Sequence, residues 1–260
     1  MSLENSSYHF PLIGYSWGSD IDWNDAKILS IQEGAKLAHF ISTYNQMCNS
    51  DDIISQVRLI GHSLGARVIL SSLHNLSSQS SDNFNLLSVH LMGAAVDNEE
   101  VSMDPIDPYS NPSPWWWVAG CTVDTTGVKK AYGDAIQQKV INFYNLVNSR
   151  DNVLEFIYPC YEGGDRALGQ DGKQDSPLIN TPSNYYDIDE SSIESELSPI
   201  NDADGIAGCD LGICNLGLNP AQLGDNHLGY MGFRLPANPN ILASDGVMNL
   251  IVDHWRAERN

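Results

Sequence analysis

The sequence predicts an α/β fold, with a mainly parallel sheet flanked by helices. Three observations carry that expectation. Apolar runs that read as buried strands alternate with segments of helical period, the pattern that parallel sheets require. The 260-residue length and 42% hydrophobic content fit one globular domain spanning residues 1–260 with its own core. A short apolar run also passes directly into Gly61-His62-Ser63-Leu64-Gly65 and then into a helical pattern, a strand–turn–helix.

The first strand is expected at Phe10–Tyr15, closing in Gly14-Tyr15-Ser16-Trp17-Gly18. A helix should follow from Trp23 to Cys48, its apolar face carrying Ala26, Leu29, Ala35, Leu37, Ala38, Phe40, Ile41 and Tyr44. Gln56–Ile60 reads as the second strand and Leu64–Leu76 as the next helix, with Ala66, Ile69, Leu70 and Leu73 on one face. Leu86–Val96 is the third strand. A helix is expected over Thr125–Gln138, a fourth strand over Val140–Val147, a short helix over Val153–Tyr158 and a fifth strand over Tyr185–Ile188. A terminal helix should begin after Ser244, whose hydroxyl could cap it, and end near Arg259. Residues 97–122, rich in Asp, Pro and Ser, break the alternation. Residues 190–226 form a late loop insertion.

Charge narrows the partners. The chain has 33 acidic and 13 basic residues, a net charge of −20. Nucleic acid is excluded as a partner, because phosphate binding needs clustered Lys and Arg. The acidity suits either solubility or adaptation to high salt, where dense carboxylates keep a surface hydrated and their repulsion is screened. No apolar run approaches the roughly 18 residues of a membrane span, and Met1–Tyr8 lacks the basic start and apolar stretch of a signal peptide. The five cysteines, Cys48, Cys121, Cys160, Cys209 and Cys214, show no zinc-ligand spacing. Cys209 and Cys214 lie close enough in sequence to pair. Asn201-Asp202-Ala203-Asp204-Gly205 looks like a fragment of a calcium loop, but Ile200 and Leu211 occupy positions that should bear ligands, so a polar turn is expected. Neither a metal nor a cofactor is called for.

The strand–turn–helix at Ser63 is the chemical centre of the sequence. A sharp turn there projects the serine hydroxyl from the carboxyl edge of the sheet, and Gly61 and Gly65 are expected to let strand and helix approach. The helix N-terminus behind it favours developing negative charge.

At this point the chain resembles the α/β-hydrolase superfamily, particularly its esterase and lipase members. The resemblance rests on Leu59-Ile-Gly-His-Ser-Leu-Gly-Ala-Arg-Val-Ile69, on Leu91-Met-Gly-Ala-Ala-Val96 and on Val140–Leu154, with the Gly14–Trp17 turn and a late histidine. Little sequence precedes Phe10, so the first strands of the family's sheet are missing from the pattern. The resemblance implies a serine hydrolase with Ser63 as nucleophile, the acid after a later strand and the base in a late loop.

Four histidines follow Ser63. His74 falls in the elbow helix and His90 within a strand, which suits structural roles. His254 lies mid-helix, where packing or solvent takes it. His227, in Gly224-Asp-Asn-His-Leu-Gly-Tyr230, sits where the family's base belongs. Asp151, directly after strand four, is favoured as the acid, with Asp97 after strand three as the runner-up. Either could instead cap a helix. Leu64 should supply one backbone N–H of an oxyanion hole, and Ser16 or Trp17 the other. Residues 97–122 fall where the family commonly inserts a lid, so the resemblance implies a lid-like insertion there, whose Trp115, Trp116 and Trp117 either cover the mouth of the site or plug their loop onto the core. The expected substrate is a small-molecule or lipid-like carboxylic ester. Acyltransferase, thioesterase and peptidase chemistry use the same machinery, and a catalytically silent scaffold binding surfaces through the tryptophans is a further alternative.

Overall fold

In a computed structural model, the described residues are 11–50, 56–79, 86–104, 126–151, 153–174, 180–191, 227, 230 and 247–258. Trp115, Trp116, Trp117, Cys209, Cys214 and residues 192–226, including 201–205 where a polar turn is expected, lie outside them.

Four strands, β1 (Arg58–His62), β2 (Leu86–Met92), β3 (Val140–Val147) and β4 (Tyr185–Asp189), form one sheet in the order β1-β2-β3-β4, every neighbouring pair parallel. The helices are α1 (Trp23–Ser50), α2 (Gly65–Ser78), α3 (Gly133–Lys139), two single turns α4 (Tyr158–Tyr161) and α5 (Leu168–Asp171), and α6 (Met248–Ala257). Just ahead of α4, Val153–Ile157 winds as a π-helical turn. Among the described residues, no helix is long and apolar enough to cross a membrane.

Both sheet faces are covered, as a parallel sheet requires. Leu37, Ala38 and Ile41 of α1, Val68, Ile69, Leu70 and Leu73 of α2, and Ala135 and Ile136 of α3 share one core with Val89, Leu91 and Phe143 of the strands. On the opposite face, Met248, Ile251, Val252 and Trp255 of α6 pack with Met92, Leu146 and Tyr230. The registers align His62 with Met92, Met92 with Leu146 and Leu146 with Ile188. Parallel pairing therefore brings the carboxyl ends of all four strands to one edge, and with them the turns that follow.

Several expectations change. Residues 11–20 form no strand; Pro11 offers no N–H to a ladder, and beyond it the Ser19 and Ile21 N–H groups donate two residues back, to Trp17 and Ser19 carbonyls, at 2.9 Å each. Leu12 and Ile13 stay exposed. The helix expected from Thr125 starts only at Gly133, because the Tyr132 and Gly133 N–H groups are pinned to the carbonyls of Glu100 and Ser102 at 2.7 and 2.8 Å. Gly127 ahead of it has φ +65°, which also breaks a helix. The lid-like insertion cannot begin at Asp97, since Asp97 through Ser102 are buried. The terminal helix begins at Met248 with Val247 as its N-cap, so Ser244 does not cap it. Of the cysteines, Cys160 on α4 is disulfide-bonded and Cys48 is free.

Candidate active site

Ser63 leaves β1 and enters α2 with φ +54°, the only non-glycine residue among those described in the left-handed region. A β-carbon crowds the backbone there, so a non-glycine residue stays only where its surroundings fix it. They do so from both sides. The Ser63 N–H donates to the Met92 carbonyl at 3.0 Å, while its carbonyl accepts from Ala66 at 3.0 Å and Ala95 at 3.2 Å. The turn needs glycine in one place more than the other. A β-carbon at Gly61 would lie 2.7 Å from Ile69 Cδ1 on α2, whereas one at Gly65 would meet nothing within 4 Å. The expectation that both glycines permit close packing holds for Gly61 alone.

Asp151 follows β3 through a turn built by Asn148. The Asn148 side chain accepts from the Arg150 N–H at 2.9 Å, and its carbonyl accepts from the Asp151 N–H at 3.1 Å. The carboxylate is fully buried and divides its work. Oδ1 accepts from the Leu154 N–H at 3.0 Å, capping the π-helical turn, and Oδ2 accepts from His227 Nδ1 at 2.7 Å. Capping and orientation, weighed as alternatives for Asp151 in the sequence, coexist on its two oxygens.

His227 is buried and reaches the same strand ends. Its carbonyl accepts from His62 Nε2 at 2.6 Å, and the two rings lie 4.7 Å apart. The ring also lies over Gly93, the residue after β2, whose φ is +52°. A β-carbon at Gly93 would come within 3.2 Å of His227 Nδ1 and 2.9 Å of Tyr230 Cε2. With Nδ1–H donating to Asp151, Nε2 is left as the nitrogen that can exchange protons. His62 titrates well below the usual imidazole range, at about 4, because burial and the adjacent His227 both disfavour its charged form.

Asp97, the runner-up acid, belongs to a different group. Its Oδ1 accepts from the Tyr158 hydroxyl at 2.7 Å and its Oδ2 pairs with Lys129 at 3.0 Å. Around it Arg67 pairs with Glu100 and Lys27 with Glu162, each at 2.7 Å and wholly buried. This cluster ties the 97–102 segment to α1, α2 and α4. Composition signalled none of it, because its charges are adjacent only after folding. Burial and the Asp97 charge push Asp165 at its rim up to about 6, against the pull of Lys129.

A cavity of about 680 Å³ opens at Ser63, bounded by β1, α1, the 15–23 segment and the π-helical turn. Its wall includes Trp17, Ile21, Trp23, Leu64, Val153 and Tyr161. Trp17 thus faces the site, while Ser16 is exposed and not part of the wall. Leu64 is the N-cap of α2, so its N–H has no partner within the helix. Among the other histidines, His90 is buried and stacked on Tyr144 at 4.6 Å, with His254 Nδ1 3.1 Å from its Nε2. His74 packs edge-on against Tyr132 at 6.1 Å. Both stand on other elements than the Asp151–His227 pair. Among the described residues no cluster of His, Cys, Asp and Glu could hold a metal ion.

Fold and site together define an α/β protein with a parallel sheet and a serine turn at its carboxyl edge. Residues 3–106 match a family model described as a protein of unknown function, DUF726. No curated protein and no solved structure matches the chain. The matched stretch contains Ser63 and Asp97 but stops short of Asp151 and His227.

Proposed function

We propose that the protein is a serine hydrolase of the α/β-hydrolase type that cleaves carboxylic esters through an acyl-enzyme. One observation carries the reading: Ser63 is held at positive φ on a strand–helix turn, and a buried Asp151–His227 pair lies against the ends of the two adjoining strands, at His62 and Gly93. A strained serine turn has little packing value, and a buried carboxylate on imidazole Nδ1 leaves Nε2 basic and oriented.

In this reading Ser63 Oγ attacks the ester carbonyl carbon and its proton passes to His227 Nε2. The C–O double bond opens to a tetrahedral oxyanion, which the Leu64 N–H and the N-terminus of α2 stabilise, with a second donor from the Ser16–Trp17 segment. The oxyanion collapses, the bond to the alkoxide breaks, and His227 returns its proton to the leaving alcohol. Water then attacks the acyl-enzyme carbonyl, giving a proton to His227 that ends on Ser63 Oγ as the carboxylic acid departs. Asp151 remains ionised and stabilises the imidazolium. The aromatic and aliphatic wall of the cavity favours an ester with an apolar, lipid-like part.

A fluorophosphonate probe tests this directly. The native chain is expected to be labelled, Ser16→Ala to be labelled equally and Ser63→Ala not at all; an unlabelled native chain ends the proposal. Hydrolysis of p-nitrophenyl esters of increasing chain length, at low and molar salt, then reports the acyl preference and whether the acidic surface works in high salt.

A further inference from the structure

We infer that His62 is a positioning residue, holding the main chain of His227 so that the base keeps its register with Asp151 and Ser63. The inference deepens the proposed hydrolase reading and rests on it for its catalytic meaning.

His62 is the last residue of β1, fixed in the ladder opposite Met92 and directly preceding Ser63. Its Nε2 lies 2.6 Å from the carbonyl oxygen of His227, a residue 165 positions later. A carbonyl only accepts, so Nε2 carries the proton and donates. The strand that aims the serine thus also grips the late backbone at the very residue bearing the imidazole. Positional error at the His227 main chain would fall directly on the distance between His227 Nε2 and Ser63, where an ångström matters greatly for rate. A packing role alone would suit an apolar side chain, because the surroundings of His62 are mostly buried and its ring faces His227 and Tyr230. A lysine or arginine could donate too, but its fixed charge would oppose protonation of His227 during the reaction. The ionisable groups facing the ring are His227, Tyr230 and, through His227, Asp151. Imidazole supplies a donor that stays neutral between them.

The test compares His62→Gln, which retains an N–H near the Nε2 position, with His62→Met, which fills similar space without a donor. Loss of one neutral hydrogen bond corresponds to a roughly five- to tenfold fall in kcat for His62→Met, with KM changed by less than about twofold, and His62→Gln should stay within about twofold of native. The low-field proton resonance of His227 Nδ1–H on Asp151 provides a readout that needs no turnover. It should be sharp in the native chain and His62→Gln, and broadened or lost in His62→Met. If His62→Met does not fold, His62→Leu, which leaves space rather than strain, takes its place. An unaltered resonance and rate in the donorless variant, or an equal fall in His62→Gln, overturns the inference. A native chain that neither turns over esters nor takes up fluorophosphonate overturns the hydrolase reading instead, and the resonance still decides the role of His62.

Discussion

His227 Nδ1 lies 2.7 Å from Asp151 Oδ2, joining a late histidine in helical conformation to the turn after β3 across 76 residues. Asp97, the other carboxylate following a strand end, faces Tyr158 and Lys129 instead. The two aspartates should therefore fail differently. Asp151→Asn is expected to lower kcat by roughly a thousand- to ten-thousandfold, because the amide no longer holds the tautomer or stabilises the imidazolium. Asp97→Asn should leave kcat within about tenfold and act on stability. Ester hydrolysis alongside urea denaturation of both variants separates them, and equal kinetic losses would refute the assignment.

The backbone of Ser63 makes a second prediction. At φ +54° a β-carbon is disfavoured by about 1 kcal/mol relative to glycine. Ser63→Gly and Ser63→Ala should both be inactive, yet Ser63→Gly should be the more stable by about 1 kcal/mol in urea denaturation. A more stable alanine variant would mean that the turn is not strained.

Arg67 and Glu100 form a wholly buried ion pair at 2.7 Å. Removing one partner as Arg67→Met leaves an uncompensated carboxylate and should cost about 3–5 kcal/mol. Replacing both, as Arg67→Met with Glu100→Leu, should recover most of that loss, because the desolvation cost disappears with the charges. A double-mutant cycle on unfolding free energies measures it.

His90 gives the pH prediction. Burial pushes its imidazole down to about 3, with the neighbouring His254 and Arg58 acting in the same direction. The unfolded chain therefore binds one more proton than the folded chain between about pH 3 and the ordinary value of 6.5. The contribution of His90 to stability is complete above that range and is lost as pH falls through it, by up to about 1.4 kcal/mol per pH unit. Asp165 runs the other way: its raised value makes the folded chain the better proton binder between its ordinary 3.8 and about 6. Comparing His90→Phe with native across pH 4–6.5 cancels Asp165. The variant should lose less stability on acidification, and parallel curves would contradict the buried neutral histidine.

Much of the fold was legible before folding, because local pattern dictates it. The apolar runs at 58–62, 86–92, 140–147 and 185–189 needed only burial on both faces to become strands, and all four lie inside or within two residues of their expected bounds. Gly61-His62-Ser63-Leu64-Gly65 likewise carried its own context, a strand on one side and a helix on the other. Where the sequence misled, a distant partner decided. Gly133 opens α3 late because Glu100 and Ser102 hold the preceding backbone, and residues 97–102 sink into the core because Arg67 awaits Glu100.

Ser63 stands on a turn that its own neighbours specify, with a strand before it and a helix behind it within residues 58–78, while Met92 and Ala95 beyond that stretch hold its backbone at positive φ. The choice between Asp151 and Asp97 had no such local basis. Both follow a strand and both are followed by residues they could cap, so nothing within ten residues of either separates them. The tertiary structure separates them through parallel pairing, which sets the strand ends side by side. It sets Asp151 against His227 and commits Asp97 to Lys129 and the Tyr158 hydroxyl. Hydrogen bonds across 76 and 165 residues bring His227 to that edge, and contacts of that range exist only once the chain is folded.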